Sequence, residues 1–322
     1  MIEYIAAGNV MIDTVEFLDS PEMNRMAIGG PATFAYSGIK LWTDNVIQCS
    51  KLGADYLPIF KPWIEKNNID TSGLKVVCER CNRSHIVYQN RDGAPGIVPT
   101  LNNAGKDFFV KGTRWEDFGF MKTSPEDIEA FTKQGGVKGV YLAQNCDRVF
   151  WEKIREIKER DGFKMMWEIE GSVAYKEFLP SVIFAAEIAD IFSINIGEAE
   201  RLFEVEGDEA CIAELQKLPV SMTLFRVGSR GLYAVTPTDA YYLPPVPSEI
   251  VDPTGCGNTS TGAALFAFAN GDDPLMVGIK ANIAAAQNIR QFGVIPDMLG
   301  VRQESYELAD KLYEEYSKKY LK

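Results

Sequence analysis

Asp252-Pro253-Thr254-Gly255-Cys256-Gly257-Asn258 runs directly into Thr259-Ser260-Thr261-Gly262-Ala263-Ala264-Leu265-Phe266-Ala267-Phe268. An aspartate and a proline close an irregular segment, two glycines flank a small residue, and a helix of small and apolar residues begins. Glycines let backbone N–H groups point the same way with no Cβ in the path. The helix adds its unpaired N–H groups and the positive end of its dipole. Such a turn suits a phosphate, or the charge that develops on one during transfer. A glycine-capped loop before a buried helix has the same spacing, so the reading depends on the rest of the chain.

A second group of candidates lies near the start. Tyr4-Ile5-Ala6-Ala7 is a short apolar run ending at Gly8, as a buried strand does. Polar residues follow, among them Asn9 and Asp13. Ligands of open α/β sheets bind beyond the carboxyl ends of strands, where Asp13 can accept hydrogen bonds from substrate hydroxyls. Gly29-Gly30-Pro31 then opens a small-residue helix to about Trp42, with proline in its first turn.

The turn at 252–258 resembles the C-terminal signature of the PfkB-type carbohydrate kinases, the ribokinase-like family, whose pattern there is D-T-x-G-A-G-D. Asp252, Thr254, Gly255 and Gly257 match, and Cys256 takes the small-residue position. The last position departs, because Asn258 stands where the family has its catalytic aspartate. Gly29 and Gly30 resemble the family's N-terminal G-G signature, where a sugar approaches the backbone closely. Thr33 falls where many members have asparagine.

The resemblance implies a set of roles. Asp13, Asn9, Gly29, Gly30, Thr33 and Arg83 become substrate-side residues, with Asn103 beside them. Gly255, Cys256 and Gly257 supply the anion hole. Asn195-Ile196-Gly197-Glu198 matches the family's N-x-x-E, in which the glutamate organises Mg²⁺ through water. Arg226-Val227-Gly228-Ser229-Arg230-Gly231 resembles the K-x-G-x-x-G turn that meets the nucleotide. Lys280-Ala281-Asn282-Ile283-Ala284-Ala285-Ala286 resembles the alanine-rich helix beside adenine. Thr254, Asn282, Arg226, Gly228, Gly231, Asn195 and Glu198 are therefore the expected nucleotide side. Glu168 and Glu170 stand where the family often has D-x-N.

The activity implied is ATP-dependent phosphorylation of a hydroxyl on a small sugar, polyol or nucleoside, with ATP and Mg²⁺. Asparagine accepts a hydrogen bond but takes no proton near neutral pH, so this activity is expected to be slow or impaired. The alternative is a non-catalytic sugar- or nucleotide-binding member. A nicotinamide-dependent oxidoreductase would want G-x-G-x-x-G after the first strand, which Gly8-Asn9-Val10 does not supply.

These residues need elements to hold them. Strands alternate with helices along nearly the whole chain, for example Val137 to Ala143 as a strand and Asp147 to Arg160 as a helix. That alternation predicts one α/β domain over 1–322, a mostly parallel doubly wound sheet with helices on both faces. Val46 to Cys49 reads as a strand, with a crossover starting at Lys51. Residues 76–115 differ: Ser84-His85-Ile86-Val87-Tyr88, broken by Asn90-Arg91-Asp92-Gly93, has the period and turn of a hairpin. By resemblance, segments of about 10–28 and 80–115 form a small β-sheet lid over the sugar, and a homodimer through the lid is expected.

The 322 residues allow a sizeable core, and 46% hydrophobic with 24% charged residues is a globular composition. A net charge of −12 argues against a nucleic-acid partner. No apolar run approaches the roughly 20 residues of a membrane span, and no signal peptide is evident. Six scattered cysteines read as reduced thiols of a cytoplasmic protein. Cys78-Glu-Arg-Cys81 with His85 lacks the second ligand cluster that a zinc site needs.

Overall fold

The central strand-forming runs, such as Tyr4–Ala7, are short, apolar and buried on both faces, as parallel strands are when helices cover them. The computed structural model of the chain describes residues 1–88 and 119–320. Its main sheet contains β1 (Tyr4–Ala7), β4 (Val46–Gly53), β5 (Leu74–Cys78), β7 (Gly139–Gln144), β8 (Lys164–Ile169), β9 (Ile191–Asn195), β10 (Met222–Arg226), β11 (Leu232–Val235) and β12 (Ala240–Leu243). Their order is β12-β11-β10-β9-β8-β7-β1-β4-β5. β1 pairs in parallel with both β4 and β7, so the winding reverses there. Only β10–β11 and β11–β12 are antiparallel.

The period of two along β1 divides the core. Ile5 and Ala7 face one way, toward Trp151 and Ile154 of α4 (Arg148–Asp161), with α5 (Leu179–Ala186), α6 (Ile196–Phe203) and α7 (Asp208–Leu215) on the same side. Tyr4 and Ala6 face α1 (Pro31–Lys40), α8 (Cys256–Ala269), α9 (Pro274–Asn288) and α10 (Arg302–Tyr320). α2 (Tyr56–Lys66) and α3 (Pro125–Thr132) complete the described helices. Two layers of helices therefore bury one sheet, as the alternation of elements predicts.

On the second face, α1 and α8 cross at contact distance because glycine removes the side chain from each. A Cβ on Gly38 would lie 2.0 Å from the Thr259 carbonyl oxygen, and one on Gly262 would lie 2.1 Å from that of Ala35. The start of α8 also lies against the first turns of α1, since a Cβ on Gly255 would meet the Phe34 ring.

A separate three-stranded sheet has the order β3 (Arg25–Gly29), β2 (Met11–Phe17), β6 (Arg83–Tyr88). β2 pairs antiparallel with β3 and parallel with β6. These strands fall in the expected lid segments. The turn at Asn90–Gly93 and Asn103 lie outside the described residues. Among the described residues β6 pairs with β2, in parallel; the second strand of the expected hairpin, like its turn, lies outside the described residues. One detail differs from the sequence reading, the length of β4. It continues to Gly53, because Leu52 is buried while Lys51 reaches outward to pair with Asp127 at 2.8 Å.

Candidate active site

The strand-order reversal at β1 opens a crevice at the carboxyl ends of the strands, the usual place for ligands in such sheets. Gly8 and Asn9 leave β1 there. With Lys122, Ala143, Gln144 and Glu170 they line a small cavity of about 10 Å³. Burial pushes the Glu170 carboxyl above its ordinary range.

Gly30 caps α1 with φ of 91°, and a Cβ there would sit 2.6 Å from the Asn9 carbonyl oxygen. The turn therefore requires glycine. Gly29 lies beneath Asp13, since a Cβ at 29 would overlap the Asp13 carboxylate. Asp13 is buried and accepts a short hydrogen bond from the Ser84 hydroxyl. Removal from water pushes its carboxyl up to about 6; Ser84 opposes the shift and nearby Asp252 adds to it. Register explains the Ser84 contact: Asp13 stands opposite Ser84, and neighbouring residues on a strand point to opposite faces. Arg83 therefore lies on the other face of β6, paired with Asp55 at 2.8 Å. Thr33 is fully buried, with its hydroxyl between Gln48 (3.0 Å) and Tyr56 (3.3 Å).

The second helix start is built by Asp252. Its Oδ1 accepts from the Thr254 N–H at 2.9 Å, and its other oxygen faces the Gly293 N–H at 3.4 Å. It is fully buried, and burial raises its pKa. Asn288 of α9 donates to the Thr254 carbonyl at 2.8 Å and accepts from Thr259 at 3.1 Å, which ties the turn to the next helix. Gly255 caps α8 with φ of 76°, and a Cβ there would strike the Phe34 ring at 2.2 Å. Cys256 points toward α9, its Sγ 3.6 Å from the Ala285 carbonyl oxygen, and burial pushes its thiol up to about 12.

Beside this turn lies a network that sequence reading did not assemble. Arg226 ends β10, and its Nη2 pairs with Glu168 Oε1 at 2.9 Å. Glu168 Oε2 accepts from the Tyr141 hydroxyl at 2.7 Å, and Tyr141 meets the Asn258 amide at 3.5 Å. Arg226 Nη1 rests on Gly257, 1.9 Å from the place a Cβ would take. Glu168 was visible as a departure from D-x-N. Tyr141 carried no signal beyond an apolar strand.

Asn195 and Glu198 form a capping box at the start of α6. Asn195 Oδ1 accepts from the Glu198 N–H at 2.9 Å, and Glu198 Oε2 accepts from the Asn195 N–H at 3.0 Å. Burial raises the Glu198 pKa, while Arg226 opposes the shift. Gly228 opens a short 3-10 turn with φ of 65°. Gly231 has φ of 102°, and a Cβ there would meet the Leu243 carbonyl oxygen. Asn282 is buried and donates to the Pro244 carbonyl, which fixes the segment after β12. Between that segment, α9 and α10 is a cavity of about 210 Å³, lined in part by Val246, Pro247, Ile283, Ala286 and Leu308.

Among the described residues, no group of three or more His, Cys, Asp or Glu side chains gathers to hold a metal ion directly. Cys78 and Cys81 are free thiols. No described helix is long and apolar enough to cross a membrane.

A nine-stranded, mostly parallel sheet with a small accessory sheet, and two glycine-rich helix starts meeting at its crevice, defines the ribokinase-like class of α/β proteins. The chain belongs to the pfkB family of carbohydrate kinases, whose model matches residues 2–299. It is similar to a bifunctional ribokinase/ribose-5-phosphate isomerase A of Fructilactobacillus sanfranciscensis, 32% identical over 82 residues. That match covers 24% of this chain and 15% of the relative's length. Among solved structures it resembles the nucleoside kinase of Burkholderia thailandensis in complex with inosine (TM-score 0.69, 14% identity, 97% of each chain). It also resembles the fructokinase of Vibrio cholerae O395 in its fructose-, ADP- and calcium-bound form (TM-score 0.67, 15% identity, 94% of this chain and 98% of that one). At those identities the likeness is one of fold.

Proposed function

We propose that this protein transfers the γ-phosphoryl group of ATP to a hydroxyl of a small sugar, polyol or nucleoside. The observation that carries the reading is the convergence of Gly29–Gly30, with Asp13 beside them, and Gly255–Gly257 at one crevice. One helix start presents a buried carboxylate to hydroxyl groups. The other presents backbone N–H groups and a helix dipole to phosphoryl oxygens. Asn9 and Gly30 shape the substrate side. Thr33 acts from behind through Gln48 and Tyr56, and Arg83 acts through Asp55.

The nucleotide side runs from the turn at Thr254 past Arg226, Gly228 and Gly231 to the cavity beside Ile283 and Ala286, whose apolar walls suit a flat base. Asn282 shapes that cavity through Pro244. Glu198 fits a role toward Mg²⁺ through water: its Oε2 caps α6, which leaves Oε1 for a metal-bound water. Magnesium keeps much of its hydration and uses substrate phosphates as ligands, so one carboxylate suffices. When bound, it neutralises charge on the phosphates.

Asn258 stands where the family has its base. Its side chain accepts a hydrogen bond and orients the attacking hydroxyl without taking the proton. A general base contributes roughly 10²–10⁴-fold, or about 3–5 kcal/mol of barrier. Positioning and electrostatics carry most of the acceleration in phosphoryl transfer, so a slower kinase is expected. β3, an edge strand among the described residues, carries an exposed Met26, and Leu18 is exposed after β2; both support a homodimer through the small sheet.

The test is ADP release from Mg-ATP across a panel of sugars, polyols and nucleosides. Acceptor-dependent release above the ATP-only rate is expected. Silence across the panel from a folded protein that still binds ATP sinks the kinase reading. It leaves the second reading, a member that binds a sugar-like ligand or nucleotide without turnover.

A further inference from the structure

Asn258 invites interpretation as a lost base, yet its surroundings are built for an amide. The single proton of the Tyr141 hydroxyl is donated to Glu168 at 2.7 Å. The tyrosine oxygen therefore has lone pairs left, and the Asn258 Nδ2 approaches it at 3.5 Å as a donor. A carboxylate at 258 has no hydrogen to offer. Either two acceptors would face each other, or the tyrosine proton would turn to residue 258 and leave a Glu168 oxygen buried without its donor. Both outcomes cost stability, because Tyr141 and Glu168 are buried and Asn258 is half-buried.

The same glutamate clamps a cation. Glu168 is 4% exposed and holds Arg226 through Nη2. Arg226 is thereby pressed onto Gly257, the last glycine of the phosphate-binding turn. Its Nε is buried and has no hydrogen-bond partner among the described residues. An arginine presents several N–H groups in one plane, a geometry that matches phosphoryl oxygens.

We propose that the site works with a fixed cation in place of a base: the Tyr141–Glu168 pair holds Asn258 as a neutral orienting residue, and Arg226, positioned by Glu168, binds the oxygens of the transferred phosphoryl group. In the step this implies, the acceptor hydroxyl oxygen bonds to the γ-phosphorus of ATP. The bond from that phosphorus to the leaving oxygen of ADP breaks, and ADP keeps its electron pair. The hydroxyl proton passes to an oxygen of the transferred group and from there to solvent. Arg226 counters the charge on those oxygens throughout. The proposal rests on the kinase reading, but its binding part is tested without turnover.

Removing Arg226 alone would strand Glu168 in the interior, so the paired variant Arg226→Met/Glu168→Gln is used, with Arg226→Lys as the charge-keeping control and thermal melting to confirm folding. Calorimetric titration with Mg-ATP and with AMP reads the contact. The paired variant is expected to bind ATP at least tenfold more weakly, with AMP affinity within about twofold of wild type and the lysine control between. Unchanged ATP affinity overturns the assignment, as does an equal loss for ATP and AMP. Asn258→Asp is expected to turn over no faster than wild type and to melt lower. A tenfold rise in its turnover would restore the lost-base view and sink the proposal. If wild type is silent on every acceptor while the ATP-selective loss persists, the kinase reading fails and the phosphate contact by Arg226 stands. If the wild-type chain does not bind ATP, both fall.

Discussion

Asp13 holds its carboxylate where water is excluded, and it does so against a cost that pH controls. Its pKa is pushed up to about 6 in the folded chain, against about 3.9 for an unperturbed aspartate. Between those values the folded protein keeps a proton that the unfolded chain has lost. The stability tied to the protonated form is complete below about pH 4 and is lost as pH rises through about 6. Asp13→Asn removes that dependence and is expected to be more stable than wild type at pH 7, by on the order of 2 kcal/mol. Denaturant melts at pH 4.5 and 7 check it; the prediction fails if both proteins show the same change between the two. On the proposed function the same variant should lose acceptor affinity at least tenfold, because a neutral amide replaces the anion proposed to accept the substrate's hydroxyls.

At the scale of elements, the site depends on how closely α1 and α8 approach. Gly38→Ala places a methyl against the Thr259 carbonyl, and Gly262→Ala places one against that of Ala35. Neither neighbour is the free end of a side chain, so the helices must separate. Each variant is expected to lose about 3 kcal/mol of stability. Each should also lower ATP affinity, since the two helix starts move apart; calorimetry on the folded fraction separates that from the loss of fold. A Gly38→Ala variant with wild-type melting and binding would show that the crossing is not what sets the crevice. The capping box of α6 is a smaller lever: Asn195→Ala should cost about 1 kcal/mol, read by thermal melting.

For the whole molecule, the proposed dimer turns on the small sheet. β3 is an edge among the described residues, with Met26 56% and Leu18 63% exposed. Open strand edges bearing apolar side chains favour pairing with a second copy. Light scattering over a concentration series is expected to give a dimer for wild type. Leu18→Asp/Met26→Lys should shift the weight-average mass toward the monomer, with melting retained. A monomer at every wild-type concentration would remove the dimer from the proposal.

Much of this molecule was legible in its residues, because the features concerned are local. Glycine needed at a positive φ, proline in a helix's first turn and small residues along α8 each act within a few positions. That is why the turns at Gly29–Gly30 and Gly255–Gly257, the alternating sheet and the family could all be read from the chain alone. Asp252, Asn195 and Glu198 each cap or brace their own turn, a local role distinct from the nucleotide and Mg²⁺ roles that the resemblance implied for Asn195 and Glu198.

What the tertiary structure alone decided is which distant side chains meet. Ser84 reaches Asp13 because β6 pairs with β2 in one particular register, and a slip of one residue would have presented Arg83 instead. Tyr141, Glu168 and Arg226 come from three different strands of the parallel sheet, and their order across it is set by winding and burial, which no local pattern encodes. The residue type at 258 was plain from the sequence, whereas its meaning depends on a proton already committed between Tyr141 and Glu168, a fact of contact between strands.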